Sequence, residues 1–151
     1  MVSATPAEQL AGYPPELAAV QARLACLDLV TAFFELVDDG HAARTADLFT
    51  ADAELILGKK FTGVDSIRAA MQVRQDDVER KTAHVPAQSS FRLLGPDRAE
   101  GRTFVQVYRL DLDQSTPTTY ALSLLTDAFA RGADGRWRFA RRELTVLAGG
   151  E

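Results

Sequence analysis

The sequence predicts an α+β fold in which helices from the first half pack on one face of a curved sheet from the second half. The second half is rich in strand-forming residues and is divided by turn sequences at Gly95–Arg98, Gln114–Pro117 and Gly132–Gly135. The first half instead repeats its apolar residues every three or four positions, as helices do. Helices followed by a run of antiparallel strands are typical of the α+β class. A sheet that curls around such helices forms a cone with a pocket inside.

The first helix is delimited by prolines at its start and by an acidic turn sequence at its end. Pro14 and Pro15 are tolerated in a first helical turn, and Asp38-Asp39-Gly40 stops the helix. Apolar residues recur between them at helical spacing, which predicts one face packed on the sheet. That face consists of Leu17, Val20, Leu24, Leu27, Val30 or Thr31, Phe34 and Val37.

Two more helices and two short strands complete the first half of the chain. We expect a short helix over 41–49, strands over 52–57 and 59–62, and a third helix over about 65–80. The third helix is expected to turn Ile67, Ala70, Met71 and Val78 inward. Four long strands are then expected at about 82–94, 99–112, 118–131 and 136–147.

Length and composition indicate one globular domain. The chain has 151 residues, of which 46% are hydrophobic, enough for a core and a modest cavity. We expect the domain to span residues 14–148, after a flexible segment at 1–13 that shows no periodicity. The net charge is −4 and the basic residues are dispersed, which argues against a nucleic-acid-binding surface.

The sequence shows no recognisable targeting or metal-binding signal. No apolar run is expected to reach the ~20 residues of a membrane span, and no signal peptide is apparent, so no membrane association is predicted. Cys26 is the only cysteine, so no internal disulfide can form, and the cytoplasm is the default compartment. His41 and His84 are far apart and have no metal-ligand spacing, so no metal site is predicted.

Both faces of the predicted sheet are apolar. In the strand over 118–131, for example, Tyr120, Leu122 and Leu124 alternate with residues that are themselves mostly apolar. An antiparallel sheet with one solvated face usually shows a cleaner polar alternation. Because the helices can cover only one face, we expect a homodimer that covers the outer face.

Short segments in a characteristic order carry a resemblance to a known family. The segments are Phe33–Gly40, Ala46–Ala53, Phe61–Arg68, Thr82–His84, Asp127–Arg131 and Asp134–Arg142. Together they resemble the SnoaL-like branch of the NTF2-like superfamily over about residues 17–147. The resemblance implies a cone of curved, mixed or antiparallel sheet with three N-terminal helices on its concave face.

The same resemblance implies a range of functions. Members include polyketide cyclases, dehydratases, ketosteroid isomerases and limonene-type epoxide hydrolases, as well as non-catalytic binding or assembly domains. They act on small, mostly apolar molecules and generally need no cofactor. The leading expectation is a cofactor-independent cyclase, dehydratase or isomerase with a polycyclic substrate. A non-catalytic ligand-binding or dimerisation module is the first alternative.

His84 and Asp38 are the leading catalytic candidates. The resemblance implies that a histidine in a Thr-x-His setting on the first long strand acts as general base, and Thr82-Ala83-His84 matches it. Imidazole suits this role because it ordinarily exchanges a proton near neutral pH. The resemblance also implies that an aspartate at the end of the first helix, here Asp38, orients the histidine. A structural histidine and a turn-forming aspartate are the alternatives.

The chain departs from the dehydratase pattern at two positions. Phe33 stands where those members carry a tyrosine, and Gln106 stands near the position of their second acid. Glutamine cannot titrate, so a general acid is missing unless Tyr108 or Tyr120 replaces it. We expect Tyr108 or Gln106 to donate a hydrogen bond to a developing oxyanion. These departures favour a one-base reaction such as isomerisation or ring closure.

Arg109-Leu110-Asp111 suggests a second enzymatic alternative. The resemblance implies that epoxide hydrolases of this superfamily use Arg-x-Asp on a strand with another aspartate near the last strand. That second acid would fall at about Phe139, so the set is incomplete. A solvated strand end is the preferred interpretation of Asp111.

The remaining candidates are expected in the core or the pocket wall. Asp127 lies in an apolar strand, where it either lines the pocket or pairs with Arg141 or Arg142. Cys26 is expected to pack in the core. The expected pocket walls are Phe33, Phe34, Met71, Phe104, Tyr120 and Asp127.

Overall fold

The computed structural model describes residues 15–113 and 115–150. The segment 1–13, predicted to be flexible, lies outside the described residues. The helices are α1 (Pro15–Asp38), a 3₁₀ helix (Ala42–Leu48) and α2 (Val64–Asp76). The strands are β1 (Phe49–Leu57), β2 (Lys59–Thr62), β3 (Thr82–Gly95), β4 (Arg98–Arg109), β5 (Ala121–Arg131) and β6 (Trp137–Gly149).

The six described strands form one mixed sheet in the order β2-β1-β6-β5-β4-β3. The last four strands pair antiparallel with their chain neighbours, as the turn sequences predict. β1 joins this meander by pairing parallel to β6, and β2 folds back antiparallel on β1. The helices lie on one face of the sheet. The α+β cone predicted from the sequence is therefore confirmed.

α1 buries a different face in its first half from the one predicted. Its larger apolar side chains are turned out: Leu17 is 44% exposed, Val20 52%, Leu24 54% and Leu27 38%. Small residues take their place on the sheet side, where Ala18, Ala22 and Cys26 are at most 3% exposed. Small side chains allow the helix backbone to lie close to the sheet. From Val30 onward, the predicted stripe does face the core.

α1 also differs from the expectation that no segment resembles a membrane span. Over Leu17–Asp38 the helix is long and apolar enough to cross a membrane on length and composition alone. Core helices of globular domains pass the same test. In this fold the helix packs its small residues and phenylalanines on the sheet, whereas the larger apolar residues of its first half are exposed.

α2 ends four residues earlier than predicted. Its last residue is Asp76, and a short turn over Asp77–Arg80 leads to the start of β3. Ile67 and Met71 are buried as expected, but Val78 lies in the turn and is 63% exposed. The early end of α2 places Arg80 on the same side of the cone as Arg74 and the first residues of β3.

The sheet has one inner face, under the helices, and one outer face. Register shows which residues share a face: His84 pairs with Val107, which pairs with Ala121. Val107 and Ala121 are buried. Their neighbours Gln106 and Leu122 therefore point to the outer face, because successive side chains of a strand alternate. The core lies between the inner face and the helices, and its large members include Leu55, Ile67, Val105, Leu125, Phe129 and Phe139.

Candidate active site

A cavity of about 460 Å³ opens between α1, α2 and the first residues of β3. We call it the central cavity. Most of its wall is apolar, which suits a hydrophobic ligand. Its lining residues are Phe33, Phe34, Val37, Leu57, Phe61, Ala70, Met71, Arg74, Arg80, Thr82, His84 and Leu144. Three of the predicted wall residues, Phe33, Phe34 and Met71, are among them.

His84 lines this cavity and contacts Asp38, which itself lines the second cavity described below. The Nδ1 atom of His84 lies 2.6 Å from Oδ1 of Asp38, and the backbone N–H of His84 donates to Oδ2 at 2.8 Å. The hydroxyl of Thr82 donates to Oδ1 at 2.7 Å. The structure thus brings together the two leading catalytic candidates predicted from the sequence.

The position of Asp38 needs these donors. It is the last residue of α1, where the helix dipole disfavours a negative charge. Burial tends to raise the pKa of Asp38, but the hydrogen bonds from His84 and Thr82 outweigh burial and lower the pKa below its usual value of 3.8. Asp38 is therefore ionised at neutral pH.

The charge on Asp38 fixes the tautomer of His84. An ionised carboxylate only accepts hydrogen bonds, so Nδ1 must carry the hydrogen that it shares with Asp38. The other ring nitrogen, Nε2, has no hydrogen-bond partner within the described residues. Phe34 stacks on the imidazole with ring centroids 4.6 Å apart and an interplanar angle of 16°. The ring is thus held by its edge and its face, with Nε2 left for a ligand.

A second cavity, of about 480 Å³, shares Phe34 and His84 with the central cavity. Its other walls come from the last turns of α1 and from β3 near Pro86. His84 therefore contributes to both cavities.

A buried ion pair lies among the same phenylalanines. The guanidinium of Arg142 donates to Asp127 at 3.0 and 3.3 Å, and both side chains are at most 1% exposed. Of the two partners predicted for Asp127, the structure selects Arg142. Burial raises the pKa of Asp127 and the charge of Arg142 opposes that rise. Asp127 does not line the central cavity, so its predicted place in the pocket wall is wrong.

Arg142 also contacts the aromatic wall of the cavity. Its guanidinium carbon lies 4.5 Å from the ring centroid of Phe33 and 5.2 Å from that of Phe34. It lies 4.4 Å from the centroid of Phe139. Cations are attracted to the faces of aromatic rings, so the ion pair holds the two cavity-lining phenylalanines in place.

Gln106, Tyr108 and Phe104 are not in the central cavity. Each lies an odd number of positions along β4 from Val107, which pairs with His84 and faces inward. Their side chains therefore point to the outer face. Tyr120 is also absent from the lining and lies 5.3 Å from the guanidinium of Arg109. The predicted oxyanion donors Gln106 and Tyr108 and the predicted wall residue Phe104 therefore lie on the wrong side of the sheet to act with His84, and Tyr120 lies outside the central cavity. The prediction failed because it did not include strand register.

Two cavity residues that the sequence reasoning missed are Arg74 and Arg80. Arg74 donates to the Thr82 hydroxyl at 3.1 Å and to the Arg80 carbonyl at 3.3 Å. In the sequence they are ordinary charged residues near the end of a helix, which usually face solvent. Arg80 faces the cavity because α2 ends at Asp76, which no sequence signal marks. Arg74 instead continues the inward helical spacing of Ile67 and Met71, a signal by which it could have been found.

Other sequence candidates have structural explanations. Arg109 and Asp111 form a bidentate pair with each other, at 2.9 and 2.6 Å. Phe139, at the position where an epoxide hydrolase would need its second acid, is fully buried. Burial raises the pKa of the Cys26 thiol to about 12, so it is not a nucleophile. Within the described residues, no cluster of three or more His, Cys, Asp or Glu side chains could hold a metal ion.

Solved structures share this fold over most of their length. An NTF2-like protein with a cystatin-like fold from Novosphingobium aromaticivorans is 24% identical, with a TM-score of 0.76 over 89% of this chain and 88% of that one. A protein provisionally named scytalone dehydratase from the same organism is 20% identical, with a TM-score of 0.74 over 89% of each chain. ActVI-ORFA from Streptomyces coelicolor is 18% identical, with a TM-score of 0.75 over 87% of this chain and 99% of that one.

At these identities the structural likeness establishes the fold alone. No functionally curated protein matches the chain. The family model for the SnoaL-like domain matches residues 18–143, which include both Asp38 and His84. The chain therefore belongs to the SnoaL-like domain family.

Proposed function

We propose that this protein is a cofactor-independent enzyme that moves a proton on a mostly apolar, polycyclic small molecule, as a cyclase, dehydratase or isomerase does. The observation that carries the proposal is the Asp38–His84 pair, in which His84 lines the central cavity and its Nε2 has no hydrogen-bond partner among the described residues. A histidine oriented by a carboxylate and open to an apolar cavity is the arrangement that general-base catalysis requires.

In the proposed reaction, His84 is the catalytic base and Asp38 is its positioning residue. Nε2 takes a proton from a carbon next to a carbonyl group, and the ionised Asp38 stabilises the imidazolium that forms. The same imidazolium then returns the proton, either to another carbon or to a departing oxygen. One acid–base group thus serves both steps, in keeping with the described lining of the central cavity, which contains no carboxylic acid or phenol.

The apolar wall supports this reaction in two ways. Phe33, Phe34 and Met71 offer a surface on which a fused-ring substrate can be held. They also keep water away from the imidazole, which strengthens its interaction with Asp38.

The experiment is deuterium exchange at the activated methylene of β-tetralone, a bicyclic ketone, followed by proton NMR in D₂O. The wild-type protein should accelerate the exchange, and His84→Ala should reduce the acceleration by about 10²–10⁴-fold. His41→Ala is the matched control, since His41 is the other histidine and is exposed. Equal exchange by wild type and His84→Ala would refute the proposed role of His84.

A non-catalytic ligand-binding module is the second candidate. Phe33 stands in place of a tyrosine and Gln106 lies on the outer face. The described lining of the central cavity therefore has no second acid to act with His84. Under this alternative, β-tetralone would bind without any exchange of its methylene protons.

We also propose that a second copy of the chain covers the outer face of the sheet. Phe104, Gln106, Leu122 and Leu124 are only half-buried there, and no described helix lies over them. Val85, paired in register with Gln106, is 44% exposed. Sedimentation equilibrium should give a dimer, and Leu122→Lys should give a monomer because a charge opposes burial of that face.

A further inference from the structure

Two arginines face the central cavity near the Asp38–His84 pair. Arg74 comes from the last turn of α2 and Arg80 from the turn before β3. They are joined by the hydrogen bond from Arg74 Nη2 to the carbonyl of Arg80. Two positive side chains in a cavity that is otherwise mostly apolar are unusual, because burying like charges together is unfavourable.

Neither guanidinium has an ion-pair partner in the part of the chain that the structure describes. Other described arginines do pair with carboxylates, as Arg142 does with Asp127 and Arg109 does with Asp111. The Nε atom of Arg80 is buried and has no hydrogen-bond acceptor. A buried donor without an acceptor is a free-energy cost that a bound ligand can remove.

The positive charge of the two arginines is also incompletely compensated by nearby acidic groups. Burial lowers the pKa of Arg74, the positive charge of Arg80 lowers it further, and Asp77 and Asp38 only partly oppose these effects. Because guanidinium groups stay protonated in proteins, the positive charge remains and is incompletely compensated. An anion in the cavity would compensate it.

We propose that Arg74 and Arg80 bind a carboxylate group on the substrate, so that the substrate class is a polycyclic aromatic or alicyclic acid. The planar fork of a guanidinium matches a carboxylate, and charge-assisted hydrogen bonds are stronger than neutral ones. The apolar walls would hold the ring system while the arginines fix the acidic end. This inference deepens the proposed function and depends on it for the identification of the ligand as a substrate.

The arrangement also connects the carboxylate subsite to the catalytic pair. Arg74 Nη2 donates to the Thr82 hydroxyl, and Thr82 donates to the Asp38 oxygen that contacts His84. A carboxylate held by Arg74 therefore lies at one end of a hydrogen-bonded chain whose other end is the imidazole. Binding at this subsite orients the substrate relative to Nε2, which is the contribution of positioning to catalysis.

The test compares the binding of naphthoate with that of naphthamide, its neutral isostere, by isothermal titration calorimetry. Wild-type protein should bind naphthoate at least about tenfold more tightly, and Arg80→Gln should remove that preference while leaving naphthamide affinity unchanged. Arg44→Gln is the matched control, because Arg44 is exposed on the 3₁₀ helix. Arg80→Lys, which keeps the charge, should retain part of the preference.

Further measurements keep the test decisive if a variant is unstable. Added salt should weaken naphthoate binding to the wild-type protein and leave naphthamide binding unaffected. Three results would overturn the carboxylate subsite. The wild-type protein could bind both ligands with equal affinity, or it could show no saturable naphthoate binding. Alternatively, Arg80→Gln could lose affinity for naphthoate and naphthamide equally.

The outcome is separable from that of the proposed function. His84→Ala should keep the naphthoate preference and lose β-tetralone exchange. If the preference for naphthoate depends on Arg80 but no exchange is catalysed, the carboxylate subsite is supported and the proposed enzymatic function is refuted. If exchange depends on His84 but naphthoate is not preferred, the enzymatic function is supported and the carboxylate subsite is refuted.

Discussion

Asp38 contacts His84 through both of its carboxylate oxygens. One oxygen meets the imidazole at 2.6 Å and the other accepts the backbone N–H of the same residue at 2.8 Å. The end of α1 is thereby attached to the beginning of β3, 46 residues later in the chain. The contact that orients the proposed base is also a contact between the helix layer and the sheet.

Asp38→Asn should slow the proposed reaction without abolishing ligand binding. An asparagine amide cannot stabilise the imidazolium as a carboxylate does, and it permits the wrong tautomer of His84. We expect β-tetralone exchange to fall by at least about 10–100-fold, the effect of losing a hydrogen-bond partner that orients a functional histidine. Asp39→Asn, at the exposed neighbouring position, is the control and should exchange at the wild-type rate. An equal effect of the two substitutions would contradict the positioning role of Asp38.

The stability of the protein should depend on the ionisation of Asp38 at acidic pH. Its pKa is lowered in the folded state from the usual 3.8, so folding is favoured by this group above that value. The contribution is lost as the pH falls below 3.8 and through the folded pKa. Urea unfolding should therefore show Asp38→Asn less stable than wild type at neutral pH, with the gap narrowing by about pH 3. A gap that stays constant over this range would contradict the lowered pKa.

The sequence was sufficient to predict the elements of the fold but not all of their contacts. Turn residues such as Gly132 and Gly135 bound the strands, and apolar spacing located both α-helices, because these signals are local. The buried face of the first half of α1 differs from the predicted one, because helical spacing of large apolar residues does not reveal a face built from small residues. The sheet instead accepts Ala18 and Ala22, whose small size lets the helix approach.

The site was predicted in part for a related reason. Asp38 and His84 lie in short segments that carry the family resemblance, and in the structure their side chains form a hydrogen bond. The sequence assigns Gln106 and Tyr108 to a strand but not to one of its faces, because strand register decides which face they occupy. Arg80 was invisible because its position depends on where α2 ends, a property of tertiary packing.

The Arg142–Asp127 pair should be sensitive to removal of one partner and tolerant of replacement of both. Arg142→Met leaves the Asp127 carboxyl buried without its counter-charge, which should lower the free energy of unfolding by about 3–5 kcal/mol. The double variant Arg142→Met with Asp127→Leu should recover most of that loss, since it buries neither charge nor unpaired polar group. Urea denaturation measures both. A double variant as unstable as the single one would show that the pair itself, and not an orphaned carboxyl, supports the core.

Cys26 should be unreactive in the folded protein. Its side chain is fully buried and its pKa is raised to about 12, so almost no thiolate is present at neutral pH. A thiol reagent such as dithionitrobenzoate should react only as fast as the protein unfolds, and at once in urea. Immediate reaction under native conditions would mean that α1 does not pack on the sheet as described.

The most direct test of the central claim is the tautomer of His84, read by NMR of protein labelled with ¹⁵N-histidine. With only two histidines in the chain, His41→Ala leaves the His84 resonances to be assigned alone. For the neutral ring, the structure predicts a protonated Nδ1 and an unprotonated Nε2, with that preference lost in Asp38→Asn. A ring protonated at Nε2, or a tautomer unaffected by Asp38→Asn, would contradict the assignment of His84 as a base held by Asp38.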